Sequence, residues 1–296
     1  MVTLLALCAA ALGPEEINVQ GLYEGTLRGE KVEARVVALG KAAYKVYVRP
    51  LGKDGKVGKF ELDGKTEGET VTFAGKAGDA EVKAAWNPDR TIKGTGELQL
   101  KRVERKSPTL GKKPPEGAVV LLDGKDFGQI TKSVEDDWKP GEDGSIQVPK
   151  KGMNSKQSFE GGFQFHVEFL NPLMPAARGQ GRGNSGCYLP NGDEIQVLDS
   201  FGMDTYTGGG CGGIYKYKDP DTFDVFSLAS LPPGEWQTYD VEYRVSGGKA
   251  RVTVLHNGIR IHDNFELQKP ARKGGFHFQD HGNPVRYRNI WVLPLK

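Results

Sequence analysis

The run Gly162–Leu170, GFQFHVEFL, alternates apolar and polar residues without a break. Phe163, Phe165, Val167 and Phe169 share one face, and Gln164, His166 and Glu168 share the other. A two-residue period makes a half-buried strand, because successive side chains point to opposite sides of a pleated backbone. The same period returns in Gln237–Val245, Lys249–Leu255 and Gly274–Asp280, while helical periodicity is almost absent. Turn residues punctuate these runs: Pro190-Asn191-Gly192, Pro232-Pro233-Gly234 and the hairpin signal Asn257-Gly258. The fold class is therefore all-β, with about a dozen strands in the C-terminal part packed as two sheets.

Composition shifts set the boundaries. Residues 15–105 read as a small antiparallel β sandwich or barrel. Its strands are Asn18–Leu27, Lys31–Leu39, Ala43–Val48, Thr70–Ala74 and Ala80–Trp86, and Ile92–Leu100 closes it. Turns are expected at Lys53-Asp54-Gly55, Leu62-Asp63-Gly64 and Glu67-Gly68. Trp86 reads as core rather than as a sugar platform. No metal-ligand spacing occurs in this unit, whose expected role is a spacer or a protein-docking module. Residues 106–117, KSPTLGKKPPEG, form a Pro/Lys linker that favours extended chain. Residues 118–296 form the second domain. Residues 1–14 begin with MVTLLALCAAALG, an apolar run that resembles a signal-peptide remnant and points to a secreted or periplasmic protein.

A formal net charge of +2, without a basic stripe interleaved with aromatics, argues against nucleic-acid binding. No later run is long enough to span a membrane. Apart from Cys8, the cysteines are Cys187 and Cys211, and two in an exported chain make a disulfide candidate. Gly183–Ser200, GNSGCYLPNGDEIQVLDS, is a strand, a turn and a second strand. Period two sends Glu194 and Gln196 to one face, and a bulge after Gln196 would bring Asp199 back to it. Polar groups along one sheet face need partners when buried, so they are expected to floor a groove. Leu173–Arg182 is the candidate rim, and the Gly-rich run Ser200–Gly213 is expected to be mobile.

Several short motifs stand in a recognisable order. They are Leu122-Asp123-Gly124-Lys125, Gly183-Asn184-Ser185-Gly186, Glu194–Ser200, Gly212-Gly213-Ile214-Tyr215, Glu235-Trp236-Gln237, His256-Asn257-Gly258 and Gln279–Trp291. As a set they resemble the 3-keto-disaccharide hydrolase domain family over about residues 118–296. The resemblance implies a concanavalin A-like two-sheet jelly roll whose concave sheet holds a sugar. It also implies an oligosaccharide or glycoside substrate already oxidised at C3. The strand echoes the Glu-x-Asp-x-x-Glu strand of laminarinase-type endoglucanases, with Glu194, Gln196 and Asp199 at the matching positions. Gln at the middle position departs from that pattern and disfavours two-carboxylate glycosidase chemistry.

A ketone at C3 acidifies the proton on C2, so a base can remove it while the glycosidic oxygen leaves, and water can add back for net hydrolysis. The expected bases are His281 and His166. Arg286 or Arg288 would stabilise the enolate, and Glu194 or Tyr215 would serve as acid. Gln196, Asp199, Tyr215, Gln279, Arg288 and Asn184 form the expected substrate-binding set. A divalent metal held by Glu194, His166 and Asp199 is chemically reasonable, though no short His-x-His spacing supports it. His256 and His262 read as surface residues, and His277 as surface or a groove wall. The alternative, from a different class, is a non-catalytic carbohydrate-binding module of lectin type.

Overall fold

The computed structural model describes residues 15–52, 57–125, 127–132, 139–222, 224–226 and 229–295. The apolar run Met1–Gly13 with Cys8, the Lys53-Asp54-Gly55 turn and Trp138 lie outside the described residues. The chain divides into two units, Met1–Glu104 and Arg105–Lys296. No helix among the described residues is long and apolar enough to cross a membrane.

The first unit is a closed antiparallel barrel of eight strands. They are β1 (Gly21–Leu27), β2 (Glu30–Gly40), β3 (Ala43–Pro50), β4 (Phe60–Glu67), β5 (Thr70–Ala77), β6 (Ala80–Asn87), β7 (Thr91–Gly94) and β8 (Leu98–Val103). Each strand pairs with the next, and β8 pairs back with β1, so no edge is left open. Alternate residues fill the interior, among them Tyr23, Tyr44, Val46, Leu62, Phe73 and Trp86. Trp86 is core, and its indole N–H donates to the Tyr23 hydroxyl at 3.1 Å. Two details depart from the sequence reading. Leu62-Asp63-Gly64 lies inside β4 rather than in a turn. A Cβ at Gly64 would overlap the Phe73 ring, so this glycine serves close packing. Ile92–Leu100 is a hairpin, β7 and β8, turning at Gly96 with φ of 66°.

The second unit packs a five-stranded sheet against an eight-stranded sheet. The strands are β9 (Val119–Leu122), β10 (Ile130–Lys132), β11 (Lys139–Pro140), β12 (Ile146–Gln147), β13 (Met153–Ser155), β14 (Phe163–Leu170), β15 (Ser185–Tyr188), β16 (Glu194–Val197), β17 (Trp236–Ser246), β18 (Lys249–His256), β19 (Ile259–Glu266), β20 (His277–Phe278) and β21 (Arg286–Pro294). The small sheet runs β10-β13-β20-β15-β16. The large one runs β11-β12-β21-β14-β17-β18-β19, with β9 also on β21. This is the two-sheet jelly-roll arrangement anticipated above. Phe163, Phe165, Val167 and Phe169 meet Cys187, Ile195, Val197, Phe276 and Phe278 in the core between the sheets. Phe165 stacks on Phe276 with centroids 4.6 Å apart, and each such buried ring contributes about 2 kcal/mol.

The outer face of the large sheet is covered by the start of this unit. Thr109 Oγ1 donates to Asp240 Oδ2 at 2.5 Å, Gly111 N–H donates to Glu168 Oε1 at 2.6 Å, and Asn289 Nδ2 donates to Lys112 O at 3.0 Å. The segment read as an extended linker is therefore pinned down from residue 107 to residue 112.

Under this strap His166 is fully buried. Its Nδ1 lies 2.9 Å from Asp240 Oδ1, and its ring stacks against Trp291 at 5.2 Å. Burial works against the imidazolium, but Asp240 and Glu168 outweigh it and raise the His166 pKa. The Glu168 carboxylate is opposed by its own burial, yet His166, Asn289, Arg288 and the Gly111 amide draw it down to about 2. His166 is thus a structural ion-pair residue, remote from the face that carries Glu194. Arg288 shares its side of the sheet: its Nε donates to Glu168 Oε2 at 2.7 Å, and its guanidinium lies 4.0 Å from the Trp236 ring centroid. Arg286, two residues away on the same strand face, donates to Ser145 Oγ at 2.7 Å. Period two put these three residues on polar strand faces, but those faces belong to the sheet that the strap covers.

Candidate functional site

Residues 189–193 turn sharply, with Gly192 at φ 88°, and set the register of β15 against β16. Tyr188 lies opposite Glu194, Cys187 opposite Ile195, and Gly186 opposite Gln196. Cys187, Ile195 and Val197 enter the core. The pleat therefore sends Tyr188, Glu194 and Gln196 to the outer face of the small sheet. Strand β20 adds His277 opposite Tyr188, with their rings 5.4 Å apart.

Glu194 is the chemically distinctive residue. It is 5% exposed, and burial raises its carboxyl to about 7 against the lowering effects of the Tyr188 hydrogen bond and the Lys269 charge. A carboxyl poised there can take or give a proton near neutral pH. Burial and the neighbouring Glu194 hold the Tyr188 hydroxyl well above the usual phenol range, so it remains a donor. Gly186 makes room for the carboxylate, since a Cβ there would overlap Glu194 Oε1. Gly186→Ala is expected to displace the carboxylate and lower turnover at least tenfold, with a change in melting temperature of only a few degrees. Steady-state kinetics and a thermal melt on one preparation check this.

Gln196 and Asn184 are joined through Gln180. Gln180 Oε1 accepts from Gln196 Nε2 at 2.7 Å and from Asn184 Nδ2 at 3.0 Å, while Gln180 Nε2 donates to Gly209 O at 2.8 Å. This arrangement leaves three buried acceptors without a protein donor: Glu194 Oε2, Gln196 Oε1 and Asn184 Oδ1. An unpaired buried acceptor costs about 1–3 kcal/mol, so these three oxygens have capacity for an external donor.

Loops frame the face. Asn184 N–H donates to Asn283 Oδ1 at 2.7 Å, tying β15 to the loop that carries His281, which is exposed. Gln279 Nε2 donates to the Tyr188 hydroxyl at 3.4 Å. Tyr215 N–H donates to Glu194 O at 3.0 Å. The Gly-rich run 208–213, expected to be mobile, is instead tightly hydrogen-bonded: Gly212 N–H donates to Gln196 O at 2.8 Å, and Gln196 N–H donates to Gly213 O at 2.9 Å.

Asp199 follows the end of β16 at Val197. It pairs with the fully buried Arg182, Nε to Oδ2 at 2.6 Å, and so anchors the loop that carries Gln180 and Asn184. Burial raises its pKa despite Arg182. The metal trio is split, with Glu194 and Asp199 on the small-sheet side and His166 on the large sheet. Among the described residues no three His, Cys, Asp or Glu side chains group to hold a metal ion. Cys187 and Cys211 are not joined; both are buried free thiols. Cys187 points into the core, and Cys211 Sγ lies 3.0 Å from the Tyr239 hydroxyl. His256 and His262, expected at the surface, are each 1% exposed and bonded to Gln237 Oε1 and Gly212 O. Burial draws both below the ordinary imidazole range.

The structure thus brings Glu194, Gln196, Asn184, Tyr215 and Gln279 to one region, with His281 on a loop tied to it. It places His166, Arg286 and Arg288 elsewhere. Tyr188, Gln180 and Tyr206 escaped the sequence reading. Tyr188 was findable, because a hairpin turning at residues 190–193 makes it the cross-strand partner of Glu194.

A buried carboxyl raised to about 7 thus stands among amides and phenols on the outer face of the smaller jelly-roll sheet. Residues 117–293 match the family model of the 3-keto-alpha-glucoside-1,2-lyase-like domain, and the chain belongs to that family. A crystal structure described as a "putative glycosyl hydrolase" from Parabacteroides distasonis ATCC 8503 is similar at 33% identity and a TM-score of 0.53, over 61% of this chain and 85% of that one. A second structure with the same description and organism is 19% identical, with a TM-score of 0.45, over 60% of this chain and 99% of that one. No curated protein matches the chain.

Proposed function

We propose that the second unit cleaves 3-keto-glycosides by elimination, with Glu194 as the proton-transfer group. The observation that carries this reading is a single poised carboxyl where two-carboxylate chemistry would need a pair. Glu194 titrates near 7, the next outward position on its strand is the amide of Gln196, and Asp199 is committed to Arg182. Retaining and inverting glycosidases both need a second carboxylate, as nucleophile or base, whereas elimination needs one group that moves a proton.

In the proposed step ionised Glu194 takes the proton from C2. The C2–H electrons form a C1=C2 double bond as the C1–O1 bond breaks, and the proton passes from Glu194 to O1 of the leaving group. The step is redox-neutral and yields an unsaturated keto-sugar and a free aglycone. The Tyr188 hydroxyl, kept protonated, would donate to ionised Glu194 and hold the carboxylate in position. Gln196 and Asn184 would accept from sugar hydroxyls. Hydration of the unsaturated product would complete net hydrolysis.

The test is a matched pair, a glucoside and its 3-keto derivative, with product masses read with and without chelator. The expected result is aglycone from the keto form alone. Because the base must be ionised, kcat/KM should rise with pH through about 7 and then level off. Loss of activity with chelator would add a metal to the scheme. Saturable binding with no turnover of either sugar would favour the lectin-type alternative, and equal cleavage of both would rule out C2-proton chemistry.

A further inference from the structure

We propose that Tyr206 and Tyr215 form the subsite for the leaving group, and that it selects ring-bearing aglycones, aryl or glycosyl, over small alkyl ones. This rests on the reading of Glu194 given above and extends it to the other half of the substrate. Glu194, Gln196 and Asn184 carry acceptor oxygens with no protein donor, so the hydroxyl-rich reacting ring is assigned to their side. The two tyrosines stand at the open rim.

Tyr206 is 46% exposed, although a large aromatic ring left in water gains nothing from the fold. It is nevertheless held in place. Its hydroxyl donates to the Tyr215 hydroxyl at 3.0 Å, and the two rings meet edge to face with centroids 6.3 Å apart. Lys216 Nζ sits 5.2 Å from the Tyr215 ring centroid, and the Tyr215 amide is fixed to Glu194 O at 3.0 Å. The rim is therefore tied to the residue that carries the chemistry.

The backbone behind Tyr206 is also fixed. Gly209 N–H donates to Tyr206 O at 2.8 Å, and Gly208 N–H donates to Asp219 Oδ1 at 2.6 Å. A Cβ at Gly209 would come within 2.7 Å of Tyr206 Cε2, so only glycine lets the ring lie against this turn. A rigid, partly exposed aromatic pair beside these polar side chains offers an apolar face to a second ring at little entropic cost.

The experiment compares a 3-keto methyl glucoside with a 3-keto phenyl glucoside, using the full chain and the variants Tyr206→Ala and Tyr206→Phe. Tyr206→Ala is expected to raise KM for the phenyl substrate about tenfold with kcat little changed, the loss of one ring contact. KM for the methyl substrate should stay within about twofold of the unsubstituted chain. Tyr206→Phe, which keeps the ring but loses the hydroxyl bond to Tyr215, should raise KM for the phenyl substrate less than Tyr206→Ala does. Equal losses on both substrates, or no loss on either, would overturn the subsite. Calorimetric binding of the two keto-glucosides reads the same split as a ratio of Kd values in the absence of turnover, so failure of the Glu194 chemistry is seen separately from failure of the subsite.

Discussion

Glu194→Gln should lower kcat/KM for a 3-keto-glucoside by roughly a thousandfold while leaving the melting temperature close to that of the unsubstituted chain, the loss typical of removing a positioned general base. The amide matches the carboxyl in shape, so the room above Gly186 stays filled and the hydrogen bond to Tyr188 survives. It cannot accept a proton from carbon. Binding of the keto-substrate should persist, so KM should change far less than kcat. The rise of kcat/KM through about 7 should vanish with the carboxyl, because Glu194 is the group that burial raises to about 7. A Glu194→Gln variant that kept full turnover would move the chemistry elsewhere, with His281 the next residue to test.

The second large effect is on stability. Asp199→Ala removes the carboxylate that meets Arg182 at 2.6 Å, with Arg182 fully buried. Breaking a buried pair from one side costs about 3–5 kcal/mol, because the remaining charge loses its compensation. For a unit of this size that lowers Tm by roughly 10 °C. Activity should fall as well, since the loop from Gln180 to Asn184 hangs on this pair and Gln180 links Asn184 to Gln196. Differential scanning calorimetry on Asp199→Ala and on the apolar double replacement Arg182→Met with Asp199→Leu separates the causes. The double variant should recover much of the lost stability, because it leaves no buried charge behind. A single variant that melts with the unsubstituted chain would show the pair to be dispensable.

The sequence made the architecture legible where period two was unbroken. Phe163, Phe165, Val167 and Phe169 were placed in the core by alternation, and the core contains them. Glu194 and Gln196 were placed together on a polar face for the same reason, and they share it. Alternation does not say what covers a polar face. His166 as base and Arg288 as substrate-binding residue were inferred from polar strand faces, yet residues 107–112 lie over His166 and Glu168. That cover comes from a segment about fifty residues earlier, and no local pattern announces it. The partner of Asp199 was illegible for a related reason. Asp199 finds a stronger partner in Arg182, from the loop before β15. Two cysteines suggested a bridge on compartment logic, but both are free thiols, Cys211 against the Tyr239 hydroxyl and Cys187 against Tyr287. Gly64 was read as punctuation, and the Phe73 ring explains it better. Gln180 and Tyr206 sit in loops whose paths depend on hydrogen bonds to distant residues, so their roles emerge only in three dimensions.

The measurement that bears most directly on the chemistry is cleavage of a 3-keto-glucoside carrying deuterium at C2. Proton removal by Glu194 predicts a severalfold primary isotope effect on kcat and an unsaturated sugar that has lost its deuterium. Equal rates for the two isotopologues, with deuterium kept at C2 of the released sugar, would contradict elimination and return the site to direct hydrolysis.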